Sequence, residues 1–290
     1  MKPLMLLKTV FLLVIVFLTS CTKTETNYYP ESGKTLVIVS DNDPSSDLIV
    51  GLLGAVRASD PGIEVQFYSS KAFDIIQGSY LLYVTMMNYP QGTYIAGIIE
   101  PGASSKRIVY QAGNEFIIAP DNTLSTRILN YYPSTQCYFI ENPQVLEGAQ
   151  PETLSIEEFY KRAILSLVSG TPPSSFGPVC PNPRKFPVQD PVISGDTIKG
   201  EILFTDNFGN CVTNIPQSLV TNIPAGSVLN LTSDTTHLSI TMGINYSSVP
   251  VGSNVCFMNS SLRLELAINY GNFSEKYNLA AGSKVALKKM

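Results

Sequence analysis

Residues 171–191 carry seven prolines in a stretch of twenty-one. Proline has no backbone N–H and clashes with the preceding helical turn, so neither a helix nor a central strand runs through such a stretch. The chain must fold as two halves, joined by a linker or by a rigid extended wrap. The halves follow different grammars. Before the break, 36–39, 64–68, 93–99 and 137–140 read as strands, alternating with helix-period runs at 47–58, 73–89, 125–131 and 156–168. Residues 107–110 and 116–119 flank Gly113-Asn114 and read as a hairpin. From Lys199 onward helical periodicity disappears and short strand-like runs recur between turn residues, from 202–204 to 285–287. The expected fold is an α/β N-terminal domain (34–170), a proline-rich linker (171–192) and an all-β, barrel-like C-terminal domain (193–290).

The first residues read as an address. Met1-Lys2 and Lys8 precede a ten-residue apolar run, 9–18. That is short of the ~20 residues a membrane-spanning helix needs but has the dimensions of a signal-peptide core. Leu18-Thr19-Ser20-Cys21 then resembles a bacterial lipobox. The expectation is a leader over 1–20, lipidation at Cys21 and a polar tether over 21–33, which places the protein in a bacterial cell envelope, anchored to the membrane by lipid. Charged residues make up only 14% of the chain and the net charge is −4, with no basic stripe. A nucleic-acid backbone is therefore not an expected partner. Cys137, Cys180, Cys211 and Cys256 lack metal-ligand spacing, so no metal site is expected; an exported chain permits disulfides, with three pairings for four cysteines, and small buried residues with free thiols are an equal alternative.

Elimination narrows the chemistry. The single histidine, His237, lies in the β half, which makes Ser–His–Asp and Cys–His catalysis poor expectations. Carboxylates, asparagines and turn backbone remain, a set suited to a neutral or cationic polar ligand. Four clusters combine turn chemistry with such groups. They are Ser40-Asp41 with Asp47, Ala119-Pro120-Asp121-Asn122, Asp206-Asn207-Phe208-Gly209-Asn210 with Asn214, and Asn259-Ser260-Ser261 leading to Glu265, Asn269 and Gly271. Taken singly, each has a structural alternative: Asp41 or Asp47 as a helix cap, the others as ordinary turns.

Their order changes the reading. Ser40-Asp41-Asn42-Asp43, Ile98-Ile99-Glu100-Pro101-Gly102, Ala119-Pro120-Asp121-Asn122, Gly200-Glu201, Asp206-Asn207-Phe208-Gly209-Asn210, Thr213-Asn214-Ile215 and Asn259-Ser260 run in one order along the chain. With Leu264-Glu265-Leu266-Ala267 and Asn269-Tyr270-Gly271-Asn272 they resemble the motifs of the S-adenosylmethionine (SAM) hydroxide adenosyltransferases, or SAM hydrolases, relatives of SAM-dependent fluorinases. The similarity covers roughly residues 35–290.

The resemblance implies a homotrimer, with SAM held where one subunit's first domain meets a neighbour's second. No cofactor is implied beyond SAM itself, as substrate or ligand. Asp41 would hold the ribose hydroxyls; Asp206, Phe208, Asn210 and Ser260 would recognise the methionine and adenine parts; Asp47, Asn122 and Asn269 complete the expected ligand-binding set. The reaction implied is cleavage of SAM by water to adenosine and L-methionine. A sulfonium departs as a neutral thioether, so no general acid is required, only an oriented water and a dry site. The family positions that water with an Asp, an Arg and a His. Here Ser69 and Ile76 stand at the Asp and Arg positions, and no histidine lies in the first half. The sequence therefore leaves three outcomes in competition: a hydrolase, a non-catalytic SAM- or adenosine-binding lipoprotein, or a structural envelope protein that keeps only the scaffold, against which the retained Asp41, Asp206, Phe208, Asn210 and Ser260 speak.

Overall fold

The computed structural model describes residues 33–100, 106–233 and 236–289. The leader, Cys21, nearly all of the tether and Pro101-Gly102 lie outside these. The first half contains β1 (Thr35–Ser40), α1 (Asp47–Ser59), β2 (Glu64–Ser69), α2 (Ile75–Asn88), β3 (Tyr94–Ile98), β4 (Arg107–Ala112), β5 (Glu115–Pro120), α3 (Thr126–Tyr131), β6 (Cys137–Phe139) and α4 (Ile156–Val168). Its sheet has the order β2-β1-β3-β5-β4-β6, extended by the short β7 (Val179–Cys180). The first four of these strands are parallel; β4, β6 and β7 pair antiparallel.

Period-two alternation gives β1 to two cores. Leu36 and Ile38 pack with Ile49, Leu52 and Val56 of α1 and with α4. Val37 and Val39 pack with Leu82 and Met86 of α2 and with Ile128 and Leu129 of α3. Helices thus cover both faces, which is why the strands read as continuous apolar runs. One helix cap and one helix start differ from expectation. Ser46 caps α1, accepting from the Ile49 N–H, so neither Asp41 nor Asp47 is the cap. Helix α2 begins two residues late because Asp74 caps it and Phe73 sits at φ +61°, outside the helical region.

The proline-rich segment takes the second of its two forms, an extended wrap. Arg184 N–H donates to Asp121 (2.7 Å) and Phe186 N–H to the Thr126 hydroxyl (3.1 Å). Further on, Asn214 donates its amide to the Gln189 carbonyl (2.7 Å). The segment leads into β8 (Val192–Ser194), β9 (Thr197–Thr205), β10 (Cys211–Pro216), β11 (Val228–Thr232), β12 (His237–Met242), β13 (Asn254–Met258), β14 (Arg263–Ile268), α5 (Phe273–Tyr277) and β15 (Lys284–Lys289). Strands β9-β10-β14-β13-β12-β11-β15 close into a seven-stranded barrel, with β8 added outside on β9. Every barrel pairing is antiparallel except β12–β13, which is parallel and joins only Thr241↔Val255 and Met242↔Cys256. The one-turn α5, capped by Asn272, is too short to show periodicity; it buries Phe273 in the barrel core.

The halves meet along a seam. Tyr80 and Val84 of α2 pack on Leu203, Phe204 and Val212 of the barrel. Beside them Arg127 pairs with Glu201 (3.1 Å), both almost fully buried, and Lys284 meets the other Glu201 oxygen (2.5 Å).

Candidate ligand site

The loop between β9 and β10 is organised by its own acid. Asp206 Oδ1 accepts from the backbone N–H of Phe208 (2.9 Å) and of Asn210 (2.8 Å), and Oδ2 accepts from the Asn210 amide (2.8 Å). Gly209 completes the turn at φ +81°, and a Cβ there would collide with the side chain of Asn272. Asn210 is fixed from a second side by the Tyr246 hydroxyl oxygen (3.2 Å). Tyr246 in turn donates to Glu265 (2.7 Å), whose second oxygen accepts from Asn259 (3.2 Å). Burial first, then the hydrogen bond and charge of Glu265, push the Tyr246 hydroxyl above its ordinary range, so it stays protonated as a donor. The chain Asp206–Asn210–Tyr246–Glu265–Asn259 ties three barrel loops together through β14.

Against this network lies a cavity of about 500 Å³, lined by Phe208, Asn210, Tyr246, Ile268, Asn269 and Tyr270 among others. Two of its rings stand in solvent: Phe208 is 77% exposed and Tyr270 91%. Asn269 donates to the Val249 carbonyl (2.7 Å) and so holds the wall. The structure thus gathers Asp206, Phe208, Asn210 and Asn269 in one place. Ser260 sits exposed on the β13–β14 turn and does not line the cavity.

The other expected residues occupy the edge of the α/β sheet. Asp41 follows β1 and accepts from the backbone N–H of Phe73 (2.9 Å), fixing that left-handed residue. Asn122 follows β5, donates to the Ile99 carbonyl (2.8 Å) and accepts from Leu124 N–H (3.2 Å). Asp47 lies exposed in the first turn of α1. Ser69 ends β2, and Ile76 in the first turn of α2 approaches Gly282 of the barrel. Between them Lys71 donates to the Thr205 hydroxyl, one residue before Asp206. The β2–α2 loop therefore touches Asp41 on one side and the Asp206 loop on the other.

Sequence reasoning passed over Tyr246, whose only signal was a lone aromatic inside a polar turn, and Lys71, which nothing in the sequence marked. The assembled groups are fixed acceptors and flat rings. They suit hydroxyls, a cationic centre and a planar heterocycle.

Comparison with known proteins agrees with this architecture. The family description SAM hydroxide adenosyltransferase, N-terminal domain, matches residues 45–177, and the C-terminal domain of the same family matches 200–286. The chain is 26% identical over 253 residues to an (R)-S-adenosyl-L-methionine hydrolase of Thermus thermophilus, covering 84% of this chain and 94% of that one. A fluorinase of an Actinoplanes species is 24% identical over 304 residues, covering 90% and 99%. A crystal structure of an uncharacterized conserved protein from Thermotoga maritima superposes with a TM-score of 0.78 at 20% identity, over 87% of this chain and 99% of that one. With both domains matched in order across most of its length, the chain belongs to the SAM hydroxide adenosyltransferase family.

Proposed function

We propose that this protein binds SAM, or a nucleoside of the same shape, in the barrel cavity closed by the sheet edge of a neighbouring copy, and that it turns the ligand over poorly or not at all. The observation that carries the reading is the pre-organised Asp206–Asn210 loop beside two solvent-facing rings, Phe208 and Tyr270. Exposed rings rimming a cavity mark surface meant to be covered, and stacking a base on an aromatic ring is worth about 1–3 kcal/mol. A homotrimer supplying the second wall, and a lipid anchor at Cys21 in the bacterial envelope, belong to the same proposal. Poor turnover follows from Ser69 and Ile76, a hydroxyl and a hydrocarbon where the family resemblance expects the side chains that orient water.

A second reading, hydrolysis to adenosine and L-methionine, is favoured by the Thermus relative described as a SAM hydrolase. One experiment separates the two. Residues 22–290 are incubated with SAM and chromatographed for adenosine, with calorimetry on SAM and adenosine in parallel. Saturable binding with adenosine release no faster than the protein-free control supports the first reading. Release well above control establishes the second, and absence of binding overturns both. Asp41 gives the residue-level test. Hydrogen bonds to a charged acceptor are worth about 1.5–3 kcal/mol, so Asp41→Ala should weaken binding by roughly one to two powers of ten. It should also lower the melting temperature, because the Phe73 N–H loses its acceptor. Asp41→Asn keeps one acceptor, so it should preserve the melting temperature while still weakening the ligand.

A further inference from the structure

A second cleft, sharing no lining residue with the first, lies between α2, α3 and the barrel. Tyr80, Tyr83, Arg127, Tyr131, Asn214 and Arg263 line it, and residues 188–191 of the proline-rich wrap close one side. Its volume is about 250 Å³, the liquid volume of about eight waters. That is half the volume of the first cavity and admits a small organic molecule.

The charges facing it do not balance. Arg127 is nine-tenths buried, and its one carboxylate partner, Glu201, is shared with Lys284. The Nε of Arg127 is buried and, among the described residues, has no hydrogen-bond partner. Arg263 donates to the Asn214 carbonyl (2.9 Å) and has no carboxylate within 4 Å among the described residues. Asp190 lies at the rim, exposed, and pairs with neither arginine. Burial, and to a lesser degree the Arg263 charge, hold the Arg127 guanidinium below its ordinary range. Desolvated positive charge with this little compensation is costly to keep. Three rings supply part of the remaining wall: Tyr83 and Tyr131 meet edge-on with centroids 5.6 Å apart, and Tyr80 packs on the barrel.

We propose that this cleft binds a small organic carboxylate, its charged end on the Arg263 and Arg127 guanidiniums and its compact apolar body against Tyr80, Tyr83 and Tyr131. A guanidinium fork matches the two oxygens of a carboxylate, and the tyrosines give preference to an acid carrying a ring over a bare anion. This site is independent of the nucleoside reading.

Calorimetry with benzoate, acetate and inorganic phosphate on the leaderless chain tests it. Benzoate should bind saturably and at least tenfold more tightly than acetate, and phosphate should bind more weakly than benzoate. Arg263→Gln should weaken benzoate at least tenfold while leaving SAM or adenosine binding as in the parent, and Asp41→Ala should leave benzoate binding as it was. Should Arg263→Gln fail to fold, Arg263→Lys, which keeps the charge without the fork, must still weaken benzoate. No saturable benzoate binding, phosphate binding more tightly than benzoate, or undiminished affinity in the arginine variants would overturn the proposal.

Discussion

Thr123 follows Asn122 at φ +80°, a backbone region that a β-branched residue occupies only under strain. The neighbouring bonds hold it there: Asn122 grips the Ile99 carbonyl, and the Thr123 carbonyl accepts from the Thr126 hydroxyl. Glycine reaches the same conformation without the steric cost, which in such regions is about 1–3 kcal/mol. After allowing for the extra freedom of glycine in the unfolded chain, Thr123→Gly should stabilise the protein by about 1 kcal/mol, a rise of ~2–4 °C in melting temperature. Thermal unfolding of the pair checks it, and an unchanged or lowered midpoint would show the strain to be absent. The thiols give a second test at this scale. Burial pushes Cys137, Cys211 and Cys256 each up to about 12. Since the thiolate is the reactive form, iodoacetamide at pH 8 should leave all three unmodified in the native protein and label them in denaturant, as peptide mass spectrometry would read.

Among the elements, β10 carries a polar hub inside the seam. Asn214 is buried, accepts from Glu201 N–H (2.8 Å) and donates to the Gln189 carbonyl, so one side chain joins barrel and wrap. Asn214→Ala would orphan a buried donor and a partly buried acceptor, a loss of about 2–4 kcal/mol. Asn214→Asp keeps the acceptor but loses the donor and should fall between; denaturant midpoints rank the three. Strand β1 was legible because burial on both faces writes a continuous apolar run into the chain, and α1 because burial on one face writes a period of 3.6. Helix α5 was not, since a single turn fixed by Asn272 and Phe273 has no period to show. The same divide runs through the site. The Asp206–Asn210 loop announces itself by turn residues close in sequence, whereas Tyr246 and Lys71 reach it from 36 and 134 residues away along their hydrogen bonds to Asn210 and Thr205. Only folding brings those partners together.

At the scale of the whole molecule, the seam makes one cooperative body of two architectures. Tyr80, Leu203 and Val212 bury apolar surface across it, and Arg127–Glu201 spans it. Removing one partner of a buried ion pair typically costs about 3–5 kcal/mol because the other charge is stranded. Calorimetry should therefore show a single unfolding transition in the parent and, in Glu201→Gln, a lower and broader one as the halves uncouple. The proposed trimer, closed through the ligand site, should appear by light scattering at micromolar concentration and be lost with Phe208→Asp; a monomer at that concentration would remove the interfacial site. The barrel carries its own fault line. Six of its seven joints are antiparallel ladders, while β12 and β13 are held by two register pairs. A ring with one weak clasp unfastens there before it fails elsewhere. Amide protons flanking Thr241 and Val255 should trade with solvent deuterium sooner than those of the β9–β15 ladder, making the barrel a hoop that breathes at a fixed point.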